Sequence, residues 1–187
     1  MPSRLPPDVR QKLEPIRLVV LDVDGVLTDG SLVYSAVGEE HKRFSARDGL
    51  AIRLLLRAGI QVAVISGRAS EAVVARCSEL GVRSELIVVG SQDKPADLDR
   101  LEDLLQISDA EVAAMGDDLP DLPLLARAAF AACPTDAAPE VIAACDLVCG
   151  AEGGRGAVRE LAEVVLKGQG RWTDLVSDWV TPGIQRQ

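Results

Sequence analysis

Ile16-Arg17-Leu18-Val19-Val20-Leu21-Asp22-Val23-Asp24-Gly25 begins as a short β-branched apolar run and closes on two carboxylates and a glycine. A run this apolar suits a strand buried on both faces, with Asp-Val-Asp-Gly opening into a loop at its C-terminal end. Comparable runs recur at residues 61–65, 86–89, 111–115, 130–132 and 146–149. Between them, residues 49–58, 70–80, 94–105, 122–128, 138–144 and 156–166 carry apolar side chains at helical spacing. Strand alternating with helix predicts an α/β fold of three layers, Rossmann-like, with a mostly parallel central sheet. Ligands of such sheets bind outside the carboxyl ends of the strands, so functional residues should gather there.

One segment breaks the alternation. Residues 28–46 hold two short candidate strands, 32–34 and 40–44, which read as a β-hairpin inserted after the first strand. Leu32, Val33 and Tyr34 would leave apolar surface exposed there unless another chain covers it, which predicts an oligomer. Residues 1–15, with four of the ten prolines, read as an irregular lead-in with at most a short turn at 8–13. Residues 16–166 then form the domain, and 167–187 a tail that docks on it, with Trp172 and Trp179 as anchors.

Composition narrows the function. A chain of 187 residues, 48% hydrophobic and 26% charged, is a folded single domain with no room for a second catalytic unit. Aromatic residues are only 3%, so stacking on nucleic acid bases is not expected. The net charge of −9 repels a nucleic acid backbone as well. No apolar run approaches the ~20 residues of a membrane span, and the proline-rich start lacks the apolar core of a secretion signal. A cytoplasmic protein with free thiols at Cys77, Cys133, Cys145 and Cys149 is therefore expected.

The strand ends carry the chemistry. They are Asp22-Val-Asp24-Gly, Ser66-Gly67-Arg68, Ser91-Gln-Asp-Lys94 and Gly116-Asp117-Asp118-Leu-Pro-Asp121. Asp22 and Asp24 point to one side of an extended strand end. Such a pair suits phosphoryl transfer, with one carboxylate attacking phosphorus while the other protonates the leaving alkoxide and later deprotonates water. Two carboxylates repel a phosphate dianion, which Mg²⁺ resolves if Asp22 and Asp117 both reach it, with Asp118 and Asp121 orienting its waters. Ser66 and the Gly67 N–H are placed for phosphate oxygens, and Lys94 supplies the local positive charge that an acidic chain needs.

These four elements, in this order, resemble the haloacid dehalogenase superfamily over residues 16–166. The resemblance implies Mg²⁺-dependent phosphoryl transfer with Asp22 as nucleophile and Asp24 as acid/base, the Asp24 backbone carbonyl also on the metal. It further implies Ser66 and Lys94 on phosphate and Asp117 on metal. The Asp22–Gly30 stretch, the short hairpin, Phe44-Ser-Ala-Arg-Asp-Gly49 and Gly153-Gly-Arg155-Gly look like the small branch without a cap domain typified by 3-deoxy-D-manno-octulosonate 8-phosphate phosphatases. That branch implies a homotetramer, a phosphorylated sugar acid as substrate, a place in lipopolysaccharide precursor synthesis, and Thr28, Gly67, Arg68 and Arg155 as substrate contacts. Arg155 also has a physical reading, since the glycines around it allow close backbone approach and set it beside a helix N-terminus. Arg68 favours an eight-carbon sugar acid over the nine-carbon acids, whose phosphatases tend to carry Glu there. Ala69 stands where the octulosonate enzymes commonly have a second Arg, and Ser91-Gln92 reverses their usual order.

Two rival readings remain at this point: the same chemistry on a nine-carbon sugar acid 9-phosphate or another small phosphoester, and a catalytically silent oligomerisation module. His41, the single histidine, reads as a surface or interface residue. Glu39-Glu40 and Lys42-Arg43 read as a solvated or intersubunit face, with substrate contact by Lys42 or Arg43 as the alternative.

Overall fold

A computed structural model describes residues 6–36 and 40–180. The chain runs through α1 (Pro7–Leu13), β1 (Leu18–Leu21), β2 (Val33–Tyr34), β3 (Glu40–His41), α2 (Ala46–Arg57), β4 (Gln61–Ser66), α3 (Glu71–Leu80) and β5 (Ile87–Val89). It continues through α4 (Lys94–Leu105), β6 (Val112–Met115), α5 (Leu122–Leu125), β7 (Phe130–Cys133), α6 (Pro139–Ala144), β8 (Leu147–Val148), α7 (Ala157–Gly168) and α8 (Trp172–Val180).

The six-stranded sheet has the order β5-β4-β1-β6-β7-β8, and every pairing in it is parallel. From β1 the chain moves outward through β4 to β5, then returns past β1 to β6 and on to β8. Right-handed crossovers place helices on opposite faces when the direction of travel reverses. Accordingly α1, α2, α3, α7 and α8 pack together, while α4, α5 and α6 pack together as a second set. The reversal lies at β1, whose C-terminal end leads into Asp22, so the sheet opens its ligand crevice at the two-carboxylate motif.

β1, β6 and β7 are buried at every residue, which explains why they read as unbroken apolar runs. Val, Leu, Ile and Ala make up most of this core, with Phe130 as the one fully buried aromatic ring among the described residues. Helix α7 is its most amphipathic contributor, burying Val158, Leu161, Val165 and Leu166 on one stripe. Helix α2 starts earlier than the apolar spacing suggests, because Ser45 is its N-cap and its side chain accepts the Asp48 N–H. Helix α5 is shorter than expected and ends at Leu125.

The hairpin is present as a separate two-stranded antiparallel sheet, shorter than expected, with Val33 opposite His41 and Tyr34 opposite Glu40. Its turn residues 37–39, including Glu39, lie outside the described residues, as do 1–5, 181–187 and the side chains of Glu40 and Trp179. His41 is exposed. The four cysteines are free thiols.

The lead-in departs from expectation, since residues 7–13 form a full helix. Proline is compatible with the first helical turn, where its missing N–H costs nothing. Leu13 is fully buried, and the α7 end fastens the chain there: Gln169 Nε2 donates to the Leu13 carbonyl at 3.0 Å and to Ile16 at 2.8 Å. The tail is likewise helical. Trp172 of α8 lies under the Arg159 guanidinium at 5.1 Å and the Lys167 ammonium at 5.2 Å.

Because α1 contributes a core residue, Leu13→Ala should lower unfolding free energy by about 2–4 kcal/mol, read from urea titrations followed by circular dichroism. A loss below about 0.5 kcal/mol, the range of surface substitutions, would show that the helix is ornamental to the domain.

Candidate active site

Lys94 is the first residue of α4, and the Asp93 N-cap fixes the turn before it by accepting the Ala96 N–H at 3.1 Å. From there its ammonium points into the crevice and donates to Asp22 Oδ1 at 2.6 Å and Asp121 Oδ1 at 2.5 Å. All three side chains are buried. Burial alone would push Lys94 down, but the Asp22 and Asp121 carboxylates more than offset it and hold the ammonium above its ordinary value.

Asp121 has no oxygen to spare. Its Oδ2 accepts the Asp117 N–H at 3.0 Å and the Asp118 N–H at 3.3 Å, while Lys94 takes Oδ1. A Cβ at Gly116 would overlap the Asp121 side chain, so the glycine permits this fold-back. Asp118 caps the short turn after it, accepting the Leu119 N–H at 2.8 Å, and is exposed. Its carboxylate is not part of the cluster.

Ligand oxygens of Asp22, Asp117 and Asp121 lie within 4.8 Å of one another. Asp117, which accepts no side-chain hydrogen bond among the described residues, is pushed up to about 8 by burial and then by the charges of Asp22, Asp121 and Asp118. Asp22 is raised to about 6, by burial and then Asp121, against the pull of Lys94. One ammonium for three carboxylates leaves the pocket short of positive charge. An all-oxygen, like-charged donor set fits a hard divalent cation such as Mg²⁺. Asp22 and Asp117 have the capacity to hold it, and Asp121, fully engaged, anchors the loop.

Asp24 sits beside this cluster. Lys42 of the hairpin donates to its Oδ1, and Arg68 Nε lies 3.8 Å from its Oδ2. Arg68 also donates to the Tyr34 hydroxyl and lies 6.0 Å from that ring's centroid. The hairpin thus leans over the site within one chain. This corrects the reading of Lys42 as a solvated face, since its side chain is only 1% exposed. The signal available in the sequence was strand alternation, which sets Lys42 opposite in facing to the exposed His41 and Arg43.

Ser66 is buried at the end of β4. Its Oγ accepts the Arg68 N–H at 3.3 Å, and its carbonyl accepts the Ser91 N–H at 2.9 Å, joining this loop to the one that carries Lys94. Gly67 is exposed at the rim. Two expected substrate contacts are engaged with other partners. The Thr28 hydroxyl is buried in its own loop, donating to the Val23 carbonyl and accepting the Gly25 and Gly30 N–H groups. Arg155 is exposed and pairs with Glu152 at 3.0 Å.

The glycines around Arg155 serve close packing. A Cβ at Gly153 would overlap the Gly25 carbonyl oxygen, and the Gly154 N–H donates to the Val26 carbonyl at 2.9 Å. A Cβ at Gly25 would in turn overlap the Asp117 carboxylate. The N-terminus of α7 already has an anion: buried Asp48 accepts the Gly156 N–H at 3.1 Å and the Arg159 N–H at 2.9 Å. This arrangement corrects the expectation of a substrate anion at that helix end.

Comparison with known proteins follows the same lines. Residues 41–129 match the family model of haloacid dehalogenase-like hydrolases. The chain is 42% identical over 164 residues to the 3-deoxy-D-manno-octulosonate 8-phosphate phosphatase KdsC of Escherichia coli K12, covering 88% of this chain and 86% of that one. It is 44% identical over 168 residues to KdsC of Haemophilus influenzae, covering 87% and 89%. The crystal structure of the Moraxella catarrhalis phosphatase of that name, in complex with magnesium, phosphate and KDO, superposes with a TM-score of 0.89 at 37% identity, covering 92% of this chain and 98% of that one.

The raised carboxyls make a pH prediction for the metal-free protein. Unfolded Asp releases its proton near pH 4, whereas folded Asp22 and Asp117 keep theirs to about 6 and about 8. Stability without metal therefore falls as pH rises through those values. Mg²⁺ displaces the protons, so the rise in Tm from Mg²⁺ over EDTA should be least near pH 5 and grow towards pH 8.5. A Mg²⁺ effect that is flat across this range in scanning fluorimetry would contradict the assignment of these two groups.

Proposed function

The chain belongs to the 3-deoxy-D-manno-octulosonate 8-phosphate phosphatase family of haloacid dehalogenase-like hydrolases, and we propose that it releases phosphate from that sugar acid phosphate with the residues assembled at the end of β1. It is a phosphoric monoester hydrolase supplying the lipopolysaccharide sugar 3-deoxy-D-manno-octulosonate. The observation that carries the reading is the contact of Lys94 with both Asp22 and Asp121 beside Asp117, which brings three motifs from distant parts of the chain into one charged cluster.

In the proposed mechanism an Asp22 oxygen attacks phosphorus, forming the aspartyl-phosphate as the bond to the sugar oxygen breaks. Asp24 gives its proton to the departing alkoxide. Asp24 then takes a proton from water as the water oxygen attacks phosphorus, and cleavage of the bond to Asp22 releases phosphate. Lys94 keeps Asp22 ionised, aims its Oδ1 and, with Ser66, receives phosphate oxygens. Asp22, Asp117 and the Asp24 carbonyl would hold Mg²⁺, whose bound charge offsets that of the phosphoryl group. Arg68, at the rim beside Asp24, would meet the sugar acid's own anion, and an arginine where the phosphatases of nine-carbon acids tend to carry Glu supports the eight-carbon reading. A silent module has no use for a buried Lys–Asp–Asp cluster, whose desolvation is costly.

We take residues 16–166 as the phosphatase domain and the assembly as a homotetramer in the cytoplasm. Leu32, Val33 and Tyr34 are 43%, 53% and 57% exposed on the hairpin, an apolar surface suited to a second copy. No helix among the described residues is long and apolar enough to cross a membrane.

Phosphate release from 3-deoxy-D-manno-octulosonate 8-phosphate should require Mg²⁺ and fall by at least ~10³-fold in Asp22→Asn. Retention of more than a tenth of the activity in that variant would rule out Asp22 as nucleophile. Arg68→Glu should lower kcat/KM on the eight-carbon substrate more than on a nine-carbon acid 9-phosphate. Native mass spectrometry should find four times the 19.8 kDa chain mass.

A further inference from the structure

Lys42 is the one described hairpin residue whose side chain is buried against the site. Its side chain is 1% exposed, whereas that of its neighbour Arg43 is 76% exposed and pairs with Asp29. An exposed pair such as Arg43–Asp29 contributes about 0–1 kcal/mol and needs no further explanation. Burying a lysine is costly unless its ammonium is bound, so the Lys42 contact is of another kind. The ammonium binds one oxygen of Asp24, Oδ1, and the other is treated differently: Oδ2 is buried and accepts no hydrogen bond among the described residues, with Arg68 Nε 3.8 Å away.

A buried carboxylate that keeps one oxygen without a hydrogen bond costs stability, so joining the hairpin to the domain does not by itself account for this arrangement. Here the carboxyl is held by one oxygen while the other, buried, faces the side where Arg68 and Tyr34 meet. We infer that Lys42 is a positioning residue: by fixing Asp24 Oδ1 it commits Oδ2 as the oxygen that hands a proton to the departing alkoxide and takes one back from water. The inference rests on the reading of Asp24 as acid/base. It adds that the hairpin, through Lys42, sets the geometry of that proton transfer.

The step being positioned is balanced. As the phosphorus–oxygen bond to the sugar breaks, the proton on Asp24 Oδ2 goes to the alkoxide. In the second half the water proton returns to Oδ2 while the water oxygen bonds to phosphorus.

Leaving groups separate this role from a structural one. The sugar leaves as a primary alkoxide and needs the proton, whereas p-nitrophenolate leaves without it. In single-turnover experiments with Mg²⁺, Lys42→Met should slow release of 3-deoxy-D-manno-octulosonate from its 8-phosphate by ~10²-fold, within the range contributed by a general acid. The pre-steady-state burst of p-nitrophenolate, which reports attack by Asp22, should lose at least about tenfold less than that. KM for the sugar phosphate should stay within about twofold, since a positioning residue acts on the chemical step. Lys42→Arg, which keeps a cation on the hairpin, should recover most of the single-turnover rate and guards against a folding defect in the methionine variant.

Equal losses in burst and sugar release, in both variants, would overturn the inference. Asp24→Asn tells its failure from that of the underlying reading. If Asp24→Asn slows sugar release while Lys42→Met affects both substrates alike, only the role of Lys42 falls. If Asp24→Asn releases sugar at the normal rate, the acid/base assignment falls with it.

Discussion

Three carboxylates crowded around a single ammonium that binds two of them are the constraint around which this molecule is arranged. Lys94 holds Asp22 and Asp121 at 2.6 and 2.5 Å, and Asp121 uses its other oxygen to grip the backbone of the loop that carries Asp117. Through Lys94 these contacts tie the end of β1 to α4 and to the loop after β6. Like charges at such spacing repel strongly in a buried setting. The cluster is therefore stable only because β1, α4 and the loop after β6 meet where the order of the sheet reverses. The deficit in positive charge that remains at Asp117 is what a divalent cation answers.

Behind that cluster lies a second layer made of backbone. Gly153 presses on the Gly25 carbonyl, Gly25 leaves space for Asp117, and Thr28 spends its hydroxyl on the loop between them. Asp48 then fixes the start of α7, so that helix, hairpin exit and reactive loop share one set of supports. Groups that must hold reacting atoms to within fractions of an ångström gain from such packing, because little reorganisation is left to the moment of reaction.

The parallel sheet and the four strand-end motifs were legible in the sequence, since strands buried on both faces leave continuous apolar runs and the chemistry follows at their C-terminal ends. Asp22, Ser66, Lys94 and Asp117 could be placed on one rim from that rule alone. Other features depended on what a segment meets. Residues 7–13 looked irregular because prolines mark breaks more often than helix starts, and the burial of Leu13 against α7 is a long-range fact. Lys42 reads as part of a solvated or intersubunit face because alternation along a hairpin tells which side chains share a face, not that one face leans on Asp24. For Thr28 and Arg155 a motif match gives position but not the loop and surface pairings that engage them here. The Ser45 cap precedes the apolar stripe of α2, and a capping hydroxyl leaves no trace in apolar spacing.

The scarcity of aromatic residues has a spectroscopic consequence. Both indoles of the chain, Trp172 and Trp179, belong to α8, while the core around the sheet is aliphatic apart from Phe130. Intrinsic tryptophan emission from this protein is therefore a local signal, governed at Trp172 by the two cations stacked on its ring rather than by the sheet. The last helix carries, in effect, a built-in optical label, leaving the domain beneath it dark at those wavelengths.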